Sequence, residues 1–191
     1  MPPLPACKPH LSPEAYLAGE RQSEWRHEYI DGQVYAMVGA TDRHNLIVNA
    51  LAVALTPAAR RKRCQLFSSD MKLRLDLAGQ QVFYYPDLML ACDPHDREPY
   101  FRRHPCLIVE VLSESTERID RREKLLAYQT LPSLQAYWLV AQDAPHIEVY
   151  QRAQGWLPTQ HTAGQTLAVD CLDTDLGVDE VYQDVEWGAS A

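Results

Sequence analysis

The order of helix, hairpin, helix, three strands, helix and further strands predicts an α/β or α+β domain built on a mixed sheet. Three observations carry this. Apolar residues recur at helical spacing from Leu46 to Leu55, an almost continuous apolar strand runs from Cys106 to Leu112, and the turn dipeptides Asp31-Gly32 and Gly79-Gln80 separate β-rich runs. At 191 residues one domain is expected, burying roughly 70% of the surface of its unfolded chain. Residues 12–191 read as that domain, after an irregular proline-rich segment, 1–11.

Ser12-Pro13-Glu14 combines a side-chain cap, a proline in the first turn and an acid at the positive end of the helix dipole. It predicts a helix of about three turns ending near Ser23. Trp25–Ile30 and Gln33–Val38 then pair as a hairpin around Asp31-Gly32, a dipeptide suited to positive φ. Thr41 caps a second helix, in which Leu46, Ile47, Ala50, Leu51, Ala54 and Leu55 share a face, and Pro57 with the basic run after it is expected to stop it. Strands follow over Gln65–Asp76, Val82–Cys92 and Cys106–Leu112, the last suiting a central position covered on both faces. A helix capped by Ser115 or Thr116 runs to about Thr130, before Pro132. Ala136–Val140 and His146–Tyr150 are strands, and residues 153–191 form an acidic extension of the sheet with strand character near Trp156 and over Thr166–Leu172.

Charged residues make up 23% and hydrophobic residues 46%, which excludes disordered and fibrous classes. No apolar run approaches the roughly 18 residues of a membrane span, and the N-terminus lacks the features of a secretory signal, so a cytoplasmic protein is expected. The cysteines at 7, 64, 92, 106 and 171 form no close pair in sequence, and their odd number points to reduced thiols. Cys92, Cys106 and Cys171 sit in apolar stretches as small hydrophobes.

The net charge of −8 argues against a polyanionic partner until its distribution is considered. Past Arg152 there are seven acids and no Lys or Arg. Removing them leaves 26 − 7 = 19 acids against 18 bases. Locally basic runs therefore gain weight, namely Arg60-Arg61-Lys62-Arg63, Arg102-Arg103-His104 and the group Arg118, Arg121, Arg122 and Lys124. Such runs are ordinarily solvated surface and are candidates for nucleic-acid contact.

Glu110 interrupts the apolar strand, where an ionised carboxylate loses hydration unless a metal, an arginine or a lysine replaces it. Asp87 follows Pro86 inside the preceding strand, and a proline there implies an edge or bulge. The 110 − 87 = 23 residues between them can set the two carboxylates side by side on neighbouring strands. Such a pair suits Mg²⁺, with Mn²⁺ as substitute. On the following helix Ile119, Leu126 and Ala127 are expected to face the core. Asp120, Lys124 and Tyr128 would run along its margin, where Lys124 reaches a sheet end or pairs with Asp120 on the surface.

Pro86-Asp87, Glu110-Val111-Leu112-Ser113, Asp120 with Lys124 and Tyr128, and Ala136-Tyr137-Trp138-Leu139-Val140 together resemble the Uma-two family of restriction endonucleases, within the PD-(D/E)XK nuclease superfamily. Glu28-Tyr29-Ile30-Asp31-Gly32 and His44 add to the resemblance, which spans about Ser12 to Tyr150. It implies a restriction-endonuclease-like core, a mixed β-sheet flanked by helices, with an N-terminal helix and hairpin and extra C-terminal strands. It also implies a Mg²⁺-dependent endonuclease acting on DNA; on geometric grounds, cutting both strands of a duplex would need a homodimer. Asp87 and Glu110 would hold the metal, Lys124 and Glu28 would complete the catalytic set, and His44, Asp120 and Tyr128 would stand at the substrate or behind the ligands. The superfamily pattern places a lysine two residues after the second acid, where this chain has Leu112, so the resemblance implies that Lys124 replaces it. Asp70-Met71-Lys72 imitates the pattern in an earlier strand and reads as surface charges. Two other functions stay open: a catalytically silent binding or assembly module, and a phosphoesterase acting on smaller substrates.

Overall fold

The structure, a computed structural model, describes residues 10–37 and 39–187. The expected irregular segment, Cys7 and the last residue of the expected hairpin, Val38, fall wholly or largely outside that range.

Helix α1 spans Pro13–Glu20, with the Ser12 side chain accepting from the Ala15 N–H as its cap. It ends one turn earlier than expected. Strands β1, His27–Ile30, and β2, Gln33–Ala36, form the hairpin. Asp31 and Gly32 hold the positive φ angles of 46° and 78° that this dipeptide suits, and a Cβ on Gly32 would strike the His10 ring. Helix α2 spans Asp42–Lys62, capped by Thr41, and runs straight through Pro57 instead of stopping there. The carbonyl that Pro57 leaves without a donor belongs to Val53, which is 71% exposed, so water can replace the missing bond.

The two long strands expected after α2 each break in two. Gln65–Ser68 (β3) gives way to Lys72–Leu77 (β4), and Gln80–Tyr84 (β5) gives way to Leu88–Ala91 (β6). At both breaks the chain crosses between sheets. Pro86 cannot donate to a ladder, Ser69 adopts a φ of 60°, and the Ser69 N–H donates to the Asp87 carbonyl at 3.0 Å, tying the crossings together. After β7, Phe101–Arg102, comes β8, Pro105–Val111, which is buried along its whole length. Helix α3, Glu117–Ile119, leads through a π-helical turn, Asp120–Lys124, into α4, Leu125–Gln129. The chain closes with β9 (Ala136–Val140), β10 (His146–Gln151), β11 (Pro158–Thr162), β12 (Thr166–Val169), β13 (Thr174–Gly177) and α5 (Val178–Tyr182).

One sheet has the order β2-β1-β5-β4-β7 and a second β11-β10-β9-β8-β6-β3, while β12 and β13 form a separate ribbon. Both larger sheets are mixed: β8 runs parallel to β9, β4 runs parallel to β7, and the other ladders are antiparallel. On one face of the six-stranded sheet Leu88, Leu107, Val109 and Trp138 pack against Ile47, Leu51 and Leu55 of α2, together with Leu167, Leu176 and Val181. Its other face, through Met89, Ile108, Tyr137 and Leu139, meets Leu73, Leu75 and Tyr84 of the first sheet and Ala127 and Tyr128 of α4. Tyr16, Tyr29, Phe83 and Phe101 fill the space under α1.

Four expectations are corrected. The acidic tail is only partly an extension of the sheet: β11 extends it, whereas β12, β13 and α5 contribute core residues over α2, so removing residues 171–191 would strip away packing. Cys64 and Cys92 are disulfide-bonded because the pairing of β3 with β6 brings them together over 28 positions, and Cys106 and Cys171 are bonded over 65 positions where the turn between β12 and β13 meets β8. Arg102 is buried rather than solvated, with its guanidinium 4.6 Å from the Phe67 ring centre and donating to the Phe101 carbonyl. Lys72 is likewise buried, over the Tyr85 ring, while Asp70 pairs with Arg26 at the surface. Among the described residues no helix is long and apolar enough to cross a membrane.

Because Pro57 occupies an exposed position inside α2, Pro57→Ala is expected to raise stability by about 1–3 kcal/mol. Chemical denaturation checks this; an unchanged or lowered midpoint would mean that the proline is matched to a bend the helix requires.

Candidate active site

The two sheet crossings and the buried strand β8 meet at one seam. Glu110, the sixth residue of β8, lies on the strand face that includes Ile108, toward the first sheet and α4, and is 3% exposed. Its Oε1 accepts from Lys124 Nζ at 3.1 Å and from the Tyr128 hydroxyl at 2.8 Å. Among the described residues its Oε2 receives only the long Asp87 N–H contact at 3.4 Å. Asp87, at the second crossing, accepts at Oδ2 from the Val111 N–H at 2.7 Å and contacts His44 Nε2 at 3.1 Å. The sheet switch at Tyr85-Pro86 thus sets the Asp87 carboxylate beside the Glu110–Val111 end of β8.

Lys124 stands among three carboxylates, with Nζ 3.1 Å from Glu110, 3.2 Å from Asp120 and 3.3 Å from Glu28. Glu28 comes from β1, and its Oε1 also accepts the Tyr85 N–H at 3.3 Å. All seven residues singled out in the sequence, Glu28, His44, Asp87, Glu110, Asp120, Lys124 and Tyr128, therefore join one contact network. Glu28, His44 and Asp87 form its accessible rim, with side chains 16%, 14% and 19% exposed, above a floor of Glu110, Asp120, Lys124 and Tyr128.

Two expectations about this region change. The face made by Asp120, Lys124 and Tyr128 is not a margin but the buried face, and Leu126, expected in the core, is 67% exposed. The π-helical turn, with its wider spacing, carries Asp120 and Lys124 inward, an insertion that an ideal 100° step does not anticipate. His44 reaches across 43 positions to contact Asp87. Sequence reasoning missed the Tyr84-Tyr85 pair: Lys124 Nζ lies 5.6 Å from the Tyr84 ring centre, and the Tyr85 backbone anchors Glu28. The adjacency of two aromatics to Pro86-Asp87 was the available signal.

Electrostatics express one imbalance. Four carboxylates face one ammonium and one imidazole. Burial pushes the Glu110 carboxyl well above the usual carboxylate range; Lys124 opposes this, and Asp120, Asp87 and Glu28 add to it. Burial alone would lower the Lys124 ammonium, but Glu110, Glu28 and Asp120 outweigh it and hold it well above its ordinary value. Asp120 is also raised, chiefly by burial, and Tyr84 is pushed up to about 12 by burial and by Glu28. The Asp120 Oδ1 atom is buried without an aligned hydrogen bond; its approach to Lys124 is an ion pair. Carboxylate oxygens are hard donors, and the under-bonded Oε2 of Glu110 beside Asp87 is chemically of the kind that would suit a hard divalent cation.

Comparison with known proteins bears on the family and the fold. The Uma2 family, described as a putative restriction endonuclease, matches residues 13–179. Two uncharacterized proteins of Synechocystis sp. are similar: slr1290, 36% identical over 92% of this chain and 93% of its own length, and sll1609, 33% identical over 78% and 86%. A crystal structure of a putative nuclease belonging to DUF820 from Anabaena variabilis superposes with a TM-score of 0.69 at 15% identity, covering 89% of this chain and 96% of that one. That likeness fixes the fold as mixed α/β of the restriction-endonuclease-like kind. With a family match over nearly its whole length, the chain belongs to the Uma2 family.

Proposed function

We propose that the chain is a Mg²⁺-dependent endonuclease that hydrolyses phosphodiester bonds of DNA in the cytoplasm, with Asp87 and Glu110 as metal ligands. The observation that carries this reading is the excess of carboxylate at the seam, where Glu28, Glu110 and Asp120 surround Lys124 and Asp87 lies beside Glu110. Mn²⁺ is the natural substitute. When bound, the ion supplies charge neutralisation at the phosphoryl oxygens and activates water.

The chain's own groups then have definite tasks. Lys124, kept protonated by its neighbours, can donate to a phosphoryl oxygen as charge builds there, and Glu28 and Asp120 hold its ammonium in position. Tyr128 fixes one oxygen of Glu110 and leaves the other turned toward Asp87. The Val111 N–H and His44 orient Asp87. His44 also lies in the first turn of α2, at the positive end of the helix dipole, which favours phosphate. Arg118 and Arg122, exposed on the segment that carries Lys124, can follow the DNA backbone. The Arg60–Arg63 run stands at the other end of α2, roughly 30 Å away, too far to touch the same phosphate. Cutting both strands of a duplex calls for two such sites, which a homodimer would provide.

One observation favours a second reading, a catalytically silent binding module: Lys124 already satisfies three carboxylates and could stand where a metal would.

Purified protein is expected to nick or linearise plasmid DNA with Mg²⁺ or Mn²⁺ and to stop with chelator, and Asp87→Asn or Glu110→Gln should each slow cleavage by on the order of 10²-fold or more. Failure to cut any form of DNA or RNA would defeat the proposal. Lys124→Met separates the two readings. In a nuclease it should abolish cleavage but retain or tighten Mn²⁺ binding by calorimetry, since no ammonium competes for Glu110. Its melting temperature, lowered in chelator by the uncompensated buried acids, should recover on adding Mn²⁺. A Lys124→Met protein blind to Mn²⁺ would point to the silent module.

A further inference from the structure

At the end of the six-stranded sheet away from the acids, four cysteines from four separate segments converge. Cys64 follows the left-handed cap of α2 at Arg63, Cys92 follows β6, Cys106 is the second residue of β8, and Cys171 lies on the 3-10 turn Asp170–Leu172 between β12 and β13. A register shift between Leu90 and Ala91 in the β6–β8 ladder immediately precedes Cys92. The disulfides join Cys64 to Cys92 and Cys106 to Cys171, yet the two pairs also touch each other. Cys92 Sγ is 3.5 Å from Cys106 Sγ, and the sulfurs of Cys92, Cys106 and Cys171 all lie within 4.8 Å of one another. Two independent cross-links require no such approach. Four thiolates around one tetrahedral zinc, with Zn–S near 2.3 Å, stand roughly 3.8 Å apart, the scale seen among Cys92, Cys106 and Cys171; Cys64 lies outside that group and joins it through its bond to Cys92.

We propose that, in its thiol form, this cluster is a structural zinc site with Cys64, Cys92, Cys106 and Cys171 as its four ligands. A dithiol reductant, two equivalents per chain, breaks the two S–S bonds and is itself oxidised to disulfide, leaving four thiols. Zinc then displaces their four protons. Apolar neighbours, among them Leu107, Trp138 and Val169, wall one side. On the other a cleft of about 410 Å³, bordered by Cys92, Cys106, Asp93 and His104, gives the ion a way in. The set is closed, with four protein sulfurs and no open position for substrate, as structural zinc sites are. It would clamp the end of α2 and the β12–β13 ribbon onto the central strands. Cys106 is four residues before Glu110 on one strand, roughly 13 Å away, so the site is independent of the nuclease reading.

The test is metal analysis of the full chain purified with a dithiol and without chelator. About one zinc per chain is expected by mass spectrometry, together with the visible bands of a tetrahedral thiolate centre after Co²⁺ exchange. Cys106→Ser and Cys171→Ser should each lower zinc content roughly fivefold or more, whereas Asp87→Ala should leave it unchanged. A strong chelator should lower the melting temperature of the reduced protein and not of the oxidised one. Wild-type protein free of zinc, with all four thiols open to alkylation or with both disulfides surviving the dithiol, would overturn the proposal, and this holds even if the serine variants fail to fold.

Discussion

The seam depends on the cost of burying Glu110. An ionised carboxylate taken out of water loses hydration worth several kcal/mol even after relaxation, and only close partners replace it. Here they come from three directions: Lys124 from the π-helical turn, Tyr128 from α4 and the Asp87 backbone from the sheet crossing. Glu28 belongs to one sheet and Glu110 to the other, and the Lys124 ammonium bridges them. The polar centre therefore joins the two sheets, and an error in placing any member leaves another buried and uncompensated. Such interdependence specifies geometry more than it adds stability.

The sheet crossings are what make this possible. A strand continuing unbroken through residues 82–92 would keep Asp87 within a ladder, alternating to one face or the other. Pro86 interrupts the ladder, and the chain passes from the first sheet to the second between Tyr84 and Leu88. Asp87 is thereby freed to turn its carboxylate to the Val111 N–H. The Ser69–Asp87 backbone bond binds this crossing to the one between β3 and β4, so the rim of the site rests on two chain passages and not on a loose loop.

Elements whose signals are local were readable in the sequence: the Ser12 and Thr41 caps, the Asp31-Gly32 turn, and the central strand through Glu110. The acids were readable because each breaks a pattern, Glu110 an apolar run and Asp87 a strand interrupted by proline. What escaped was non-local or irregular. The periodic reading of residues 117–129 put Leu126 inside and Lys124 at the edge because it assumed an ideal helix, and the π-helical turn reverses both. The splitting of two strands between sheets depends on pairing partners far along the chain. Proximity of the cysteines had no signal at all in their spacing, since it arises only when β6 and β8 pair and the C-terminal ribbon folds over α2.

Helix α2 links the two ends of the molecule. Near its start His44 touches Asp87, and just past its last turn Cys64 enters the sulfur cluster. Between them Ile47, Leu51 and Leu55 are wholly buried against the six-stranded sheet. A rotation of the helix about its axis large enough to release His44 would drag those side chains out of a close-packed interface, where even small volume changes are felt. The orientation of Asp87 is thus set partly by packing along the whole helix, and the C-terminal ribbon that covers α2 shares in holding it. The acidic tail, which by charge alone looked like an appendage, belongs to the scaffold that positions the acids.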